Sequence, residues 1–435
     1  MYSRIYDFYK GCLVNCTNTF KIDLRQMLIA LETAVDLVGM NDKNHGKRVG
    51  YIATQLANHL KKDKNTIEFA FELGLIHDCG VSTEQMHNNL VQYFDWADSK
   101  IHCKIGYFLL KKFEPFEKFA IPILHHHTKW ETLQTLDLSE EEKFMSNLIF
   151  ISDRIDILAS SHYEKDILLF RKEIAQTIKN YSGTYFDPVL VEAFLEIEKT
   201  EAFWISLESR HVTRYTWDMG RVEKNELLNM EQLKELALIM GYIVDQKSTF
   251  TANHSMLVGL IAKELAVLSN LDEIVCHKLE IAGYLHDIGK LMTPDNILQK
   301  PGPLNELERS IMNQHSYETY EILRHIKGLE DIAIWASYHH EGLNGTGYPF
   351  HPHQQKLSIE CRIISVADIF QALVQDRPYR EGCTLEKTIE ILDQNVKKGI
   401  LDKNIVNLIK NNADKFFKIG KSNLKKQKEL ELCVY

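Results

Sequence analysis

Residues 285–290 read Leu-His-Asp-Ile-Gly-Lys and follow the apolar run Ile281-Ala282-Gly283-Tyr284. A carboxylate in such a stretch must be paired, hydrogen-bonded or metal-bound, because bare burial is costly. For one isolated His-Asp pair, the bland explanation is an aspartate capping a helix end beside a core histidine. Here the pair has company, and the company repeats. His254 precedes His286-Asp287 by 32 residues, and His45 precedes His77-Asp78 by 77 − 45 = 32. His315 lies 24 before His339-His340, as His102 lies 24 before His126-His127. Asp368 follows His340 by 28, and Asp153 follows His127 by 26. The contexts match as well: HGKRVGYIATQLA with HSMLVGLIAKELA, and LGLIHDCG with AGYLHDIGK. The offset between copies drifts from 209 to 213 to 215, as short loop insertions cause.

Imidazoles mixed with carboxylates suit iron, manganese, nickel or zinc, whereas magnesium and calcium prefer oxygen throughout. One ion does not need so many ligands. Two ions about 3.5–4 Å apart that share an aspartate make water a nucleophile at neutral pH and bind phosphate oxygens. In the second copy this assigns Asp287 as the bridge, His254, His286 and Asp368 to one ion, and His315, His339 and His340 to the other. Anion donors are at hand. Lys290 stands four residues past His286, one turn along if the helix continues. Arg377 and Arg380 follow Asp368 by 9 and 12 residues and can fork onto phosphate. Taken singly, each is as readily a solvated surface charge. The loop with Gly347, Tyr348 and Pro349 can bend close to a ligand, and Tyr348 either stacks on a base or fills the core.

The elements that must hold these residues read as helices. DLRQMLIALETAVDLVGM, MLVGLIAKELAVLS and LEKTIEILDQNVKK repeat apolar residues at helical spacing, and no alternating strand run competes. The pattern predicts an all-α chain of two tandem domains, 1–205 and 225–435, joined by the polar stretch around RVEKNELLNMEQ. Four of nine prolines (Pro294, Pro301, Pro303, Pro349) fall between Met292 and Phe350, where loops are expected. A net charge of −9 over 435 residues argues against polymeric nucleic acid and anionic membranes as partners. No run reaches the ~18 apolar residues of a membrane span, and the start MYSRIYDFYK lacks a secretory core, so the expected location is cytoplasmic. The eight cysteines form no CxxC pairs and read as reduced bystanders.

The pattern H…HD…H…HH…D resembles the HD superfamily of metal-dependent phosphohydrolases. The second copy is similar to its HD-GYP branch through HDIGK (286–290), PDNILQKPGPL (294–304), NQHSYETYEIL (313–323), HHEGLNGTGYP (339–349) and RIISVADIFQALVQDRPYR (362–380). The resemblance implies an all-α fold, a two- or three-metal site and hydrolysis of a 3′3′-cyclic dinucleotide, either cyclic GMP-AMP or cyclic di-GMP. The product would be a linear 5′-phosphorylated dinucleotide, open to a slower 5′-nucleotidase step. It implies catalytic roles for Asp287 and Lys290, and substrate contacts from Lys290, Arg377, Arg380, Gly347, Tyr348 and Pro349. It also implies a divalent pair, iron or manganese ahead of nickel or zinc, and leaves a homodimer open.

Departures from the family pattern sharpen the reading. Phe250 stands four residues before His254, where a third-metal glutamate sits in some members, so two ions are expected. Ser248 replaces a common aspartate, and Gln371 replaces an acid three residues after Asp368. A glutamine cannot protonate a leaving 3′ oxygen, so that role passes to water or another group. In the first copy His45, His77, Asp78, His102, His126, His127 and Asp153 match every ligand position, but Val81 replaces the lysine, HHTKWETL replaces the glycine-rich loop, and no RPYR follows. Metal there would lack a phosphate cradle, which points to a regulatory or structural domain. Two rivals remain. A nucleotide phosphomonoesterase or dNTP hydrolase would use the same metals without needing both GYP and RPYR, and a non-catalytic receptor would usually have lost ligands.

Overall fold

The structure is a computed structural model, and it describes residues 21–38, 44–81, 83–92, 94, 99–221, 227–247, 253–376 and 381–422. Ser248, Phe250, Arg377, Arg380, Cys12, Cys16 and Cys433 lie outside these residues. The described chain is helical, as expected; its one sheet pairs Ile22–Asp23 antiparallel with Leu227–Leu228. No helix among the described residues is long and apolar enough to cross a membrane.

Local signals set the helix ends. Asp63 accepts hydrogen bonds from Asn65 and Thr66 to start Lys64–Ile76, and Ser139 with Glu142 forms a capping box on Glu140–Ala159. The repeat is visible helix by helix. His45–His59 and His254–Leu268 each span 15 residues and begin after an asparagine in the left-handed region, Asn44 at φ 72° and Asn253 at φ 70°. Lys64–Ile76 and Glu273–Leu285 each span 13 residues and end at the histidine of the His-Asp pair.

Within each copy these two helices cross backbone to backbone. A Cβ on Gly74 would sit 2.5 Å from Gly50 Cα, and one on Gly283 would sit 2.5 Å from Gly259 Cα. Only glycine permits that approach, which brings the first histidine and the His-Asp pair to one end of the helix pair. Buried ion networks add to the apolar core. Arg25 bonds Glu72 at 2.9 Å and Glu68 at 2.6 Å in the first unit. In the second, Glu280 accepts from Tyr284 at 2.7 Å and Lys263 at 2.8 Å.

The expected loop region between Met292 and Phe350 carries four short helices, Asp295–Leu298, Glu306–Asn313, His315–Leu323 and Glu330–Ser337. Pro294 precedes the first, Pro301 and Pro303 lie between the first and second, and Pro349 lies in the loop after the last, so the first three divide helices rather than replace them. Around the expected junction, Ser209–Gly220 is a helix, with Trp217 edge-on to His325 at 4.7 Å. Other contacts tie the two units: Gln26 accepts from the Lys327 amide at 2.9 Å, and Asp295 from the Glu84 amide at 3.1 Å.

Candidate metal centre

In the second unit, helix ends aim the histidines. The last carbonyls of a helix lack intrahelical partners, and histidines placed there use them. Nδ1 of His286 donates to Gly283 at 2.7 Å, Nδ1 of His339 to Ala336 at 2.7 Å, and Nδ1 of His315 to Met312 at 2.6 Å. A carbonyl only accepts, so these rings carry Nδ1–H and, when neutral, present the Nε2 lone pair to the centre. His286 Nε2 is buried with no hydrogen-bond partner, as is Oδ1 of Asp287.

Asp287 lies between two groups. Its Oδ2 is 3.2 Å from His286 Nε2 and 3.8 Å from His254 Nε2. Its Oδ1 is 3.5 Å from His315 Nε2 and 3.6 Å from His339 Nε2. Asp368 Oδ1 joins the first side, 3.2 Å from His254 Nε2 and 3.8 Å from His286 Nε2. His340 joins the other, in a cluster with His315 and His339 whose ligand atoms lie within 4.8 Å of one another. All seven residues named from the sequence therefore converge. Orphaned buried donors and acceptors in this mixture of imidazole and carboxylate fit borderline divalent ions.

Charge states agree with that fit. Burial pushes His315 down to about 3, helped by His340 and Lys290, and takes His340 to about 4. Burial opposes the charge on Asp287, yet His286 and Lys290 outweigh it and hold the carboxyl well below the usual range. Asp368 is lowered against its burial by His254 and His286. Against its burial His286 is raised by Asp287 and Asp368, while burial lowers His254 and His339 as well, so the set presents anionic carboxylates and four of five imidazoles pushed toward the neutral form a metal binds.

Lys290 sits differently from the continued-helix picture. The helix stops at Leu285 and Ile288–Met292 is a 3₁₀ segment, so Lys290 reaches back three residues and its Nζ lies 2.5 Å from Asp287 Oδ2. Gly289 is required here, since a Cβ would meet the His315 carbonyl at 2.0 Å. Tyr348 is half-buried with its ring 4.8 Å from that of His340 and 6.3 Å from that of His315, so it lines the centre. A Cβ on Gly347 would lie 2.3 Å from the His340 carbonyl, so the GYP loop folds directly onto the metal-side histidines.

Two relevant residues, Glu341 and Thr319, were not anticipated, and Gln371 was. Glu341 is buried, and its Oε1 accepts from the amides of Phe350 at 2.6 Å and His351 at 3.1 Å, pinning the end of the GYP loop. Thr319 donates to the His286 carbonyl at 3.0 Å and accepts from Gly289 N at 3.1 Å. Gln371 is fully buried, with its amide toward the Gly420 carbonyl at 3.4 Å. Its counterpart in the first unit is Asp156 (156 + 215 = 371), which contacts His45 Nδ1 at 2.7 Å. This position thus lies behind the first ligand histidine, where an acid orients the ring.

The first unit gathers its seven matching residues too. His45 Nε2 is 3.3 Å from Asp153 Oδ1, and Asp78 Oδ1 is 3.3 Å from His102 Nε2 and 3.8 Å from His126 Nε2. His77 Nδ1 donates to Gly74 at 2.8 Å, and His127 Nε2 is 3.8 Å from Asp153 Oδ2. Cys103 departs from the expectation that the cysteines are bystanders, because it lies inside this cluster. The repeat held the signal: Cys103 follows His102 as Ser316 follows His315.

Comparison with known proteins agrees with this anatomy. Residues 43–160 and 238–405 each match an HD domain family. The chain is 34% identical over 416 residues to the 3′3′-cGAMP-specific phosphodiesterase 1 of Vibrio cholerae serotype O1, covering 94% of this chain and 96% of that protein. It is 35% identical to the cyclic di-GMP phosphodiesterase response regulator RpfG of Xanthomonas campestris pv. campestris, covering 43% of this chain and 47% of that one. A solved Vibrio cholerae structure, described as a cyclic GMP-AMP specific phosphodiesterase (V-cGAP3), shares the fold with a TM-score of 0.63 at 23% identity, covering 91% of this chain and 98% of that one. The chain therefore belongs to the HD-GYP family of HD-domain cyclic-dinucleotide phosphodiesterases, with two HD domains in tandem.

Proposed function

We propose that the second unit, residues 225–435, is a two-metal phosphodiesterase that opens a 3′3′-cyclic dinucleotide to a linear 5′-phosphorylated dinucleotide in the cytoplasm. The first unit, residues 1–205, serves as a regulatory or structural partner. The observation that carries this reading is the pair of Asp287 oxygens, one toward His254 and His286 and the other toward His315 and His339. The relative that aligns along 94% of the chain is named for 3′3′-cGAMP, which favours that substrate over cyclic di-GMP.

His254, His286 and Asp368 would hold one divalent ion, His315, His339 and His340 the other, and Asp287 would bridge them; iron and manganese suit this set best. When bound, such a pair supplies Lewis acidity toward phosphate oxygens and lowers the pKa of water. The protein's own groups do the rest. Lys290, on the Asp287 side, offers an ammonium to a phosphate oxygen, and Arg377 and Arg380, which lie outside the described residues, would fork onto phosphate oxygens. Tyr348, with Gly347 and Pro349, forms a wall against which a base can lie. Its hydroxyl stays protonated, since burial and the charges of Asp287 and Asp368 push its pKa up. Gln371 has no acidic proton, and its position matches Asp156 beside His45, so the departing 3′ oxygen would take its proton from water or another group.

Hydrolysis in ¹⁸O-labelled water tests the chemistry. Incubation with 3′3′-cGAMP, cyclic di-GMP and a dNTP panel should put the label in the 5′ phosphate of a linear dinucleotide. A 3′-phosphate product, or turnover of dNTPs alone, would overturn the proposal.

A further inference from the structure

The first unit's histidine cluster differs from the second's by one ligand atom of another kind. Where the second unit has Ser316, whose Oγ is 3.3 Å from His315 Nε2, the first has Cys103 (103 + 213 = 316). Cys103 is buried, with Sγ 3.7 Å from His102 Nε2, and that nitrogen is 3.1 Å from His126 Nε2. The ligand atoms of His102, Cys103, His126 and His127 all lie within 4.8 Å of one another. Tetrahedral zinc, with bonds of about 2.0–2.1 Å to nitrogen and about 2.3 Å to sulfur, separates its nitrogens by about 3.3 Å and nitrogen from sulfur by about 3.6 Å. Two of the cage's separations, His102 to His126 and His102 to Cys103, are thus already near tetrahedral values, and the rest lie within 4.8 Å. A second observation points the same way: Oδ1 of Asp78 is buried without a hydrogen bond and faces His102 and His126.

The other half of the first unit's cluster is altered in the opposite sense. Arg154 forks onto Asp153 Oδ2, with Nη2 at 2.6 Å and Nε at 3.1 Å. The second unit has Ile369 at that place (154 + 215 = 369). A buried guanidinium against the last ligand carboxylate opposes a second dication there. The cavity that opens onto His45, His77 and Asp78 is also lined by Glu32 and Asp36, and by Val81 at the position of Lys290. Among the described residues, no lysine or arginine lines it to meet an anionic dinucleotide.

We infer that the first unit holds a single thiolate-ligated divalent ion, zinc by preference, on His102, Cys103, His126 and His127, rather than a second copy of the two-ion phosphodiesterase centre. Free of metal, the Cys103 thiol donates to the Ser99 carbonyl at 3.4 Å. On binding, the proton leaves to solvent and the sulfur turns to the ion, so no other reactant is needed. Thiolate selects a softer metal than the all-nitrogen-and-oxygen set of the second unit. The inference holds whether or not the second unit hydrolyses a cyclic dinucleotide.

Cobalt(II) substitution of the full chain tests it by spectrum rather than by activity. The cobalt-loaded protein should show a thiolate-to-cobalt charge-transfer band in the near ultraviolet. The band should persist in Asp287→Ala and vanish in Cys103→Ser, which should also bind one fewer zinc per chain while keeping the helical circular dichroism. His127→Ala should weaken the band by a second route if Cys103→Ser fails to fold. Absence of the band from the wild-type cobalt protein, or its survival in Cys103→Ser, would overturn the inference.

Discussion

The Lys290 ammonium lies 2.5 Å from Oδ2 of Asp287, the oxygen that also faces His254 and His286. It arrives there because the chain leaves the α-helix at Leu285 and turns through a 3₁₀ segment. An ammonium has no lone pair for a metal, but this close to Asp287, the carboxylate proposed to bridge two ions, it can meet a phosphate oxygen bound there. Replacing Lys290 with methionine should lower kcat/KM for the cyclic dinucleotide about 10–100-fold, the loss of one charged hydrogen bond. Metal content, measured by elemental analysis, should stay the same. Loss of metal in step with activity would make Lys290 structural.

Glu341 predicts a separate split. Its carboxylate holds the amides of Phe350 and His351 and so fixes the loop that carries Tyr348 against His340. Glu341→Ala should raise KM about tenfold, with a smaller effect on kcat and no change in bound metal. The Phe350 ring, stacked 4.7 Å from Tyr338, should keep the loop from unravelling. A fall in kcat alone would contradict this positioning role.

Much of this was legible in the sequence, for a physical reason. Metal ligands must converge, so their spacing repeats wherever the helical frame repeats, and both copies announced their seven residues. The glycines at the helix crossing were present in the quoted repeats but carried no chemistry to draw notice. Lys290 was found at the right place by the wrong route, because apolar periodicity does not show where an α-helix tightens to 3₁₀. Cys103 and Glu341 were missed for opposite reasons. A lone cysteine looks like a small apolar residue until the cluster closes around it, and a loop anchor has no spacing rule at all.

The helix crossing can be tested by one methyl group. Gly283→Ala places a Cβ 2.5 Å from Gly259 Cα, backbone against backbone, where no side chain can turn aside. The overpacking should cost about 2 kcal/mol or more and lower Tm by about 4–8 °C. A wild-type Tm in a calorimetric scan would show that the helices do not meet this closely.

Acid stability should depend on Glu280. Burial opposes its ionisation, but His277, Lys234 and Lys263 outweigh that and hold it at about 2, below its ordinary 4.5. A depressed carboxylate contributes stability that is present above pH 4.5 and lost as pH falls toward 2. Glu280→Gln should therefore cost on the order of 2 kcal/mol at neutral pH and flatten the acid limb of stability between those two values. Equal acid dependence in the variant and wild type, by denaturant melts across pH, would remove Glu280 from the account.

The central claim is that one of two similar clusters does the chemistry. It is tested most directly by the rate of linear 5′-phosphorylated dinucleotide formation in two matched variants, Asp287→Ala and Asp78→Ala, with metal content and helicity measured alongside. Asp287→Ala should lose at least about a thousandfold in rate, since its two oxygens face the two histidine sets, while Asp78→Ala should remain within about tenfold of wild type. Activity within tenfold of wild type in Asp287→Ala, or a loss confined to Asp78→Ala, would contradict the account.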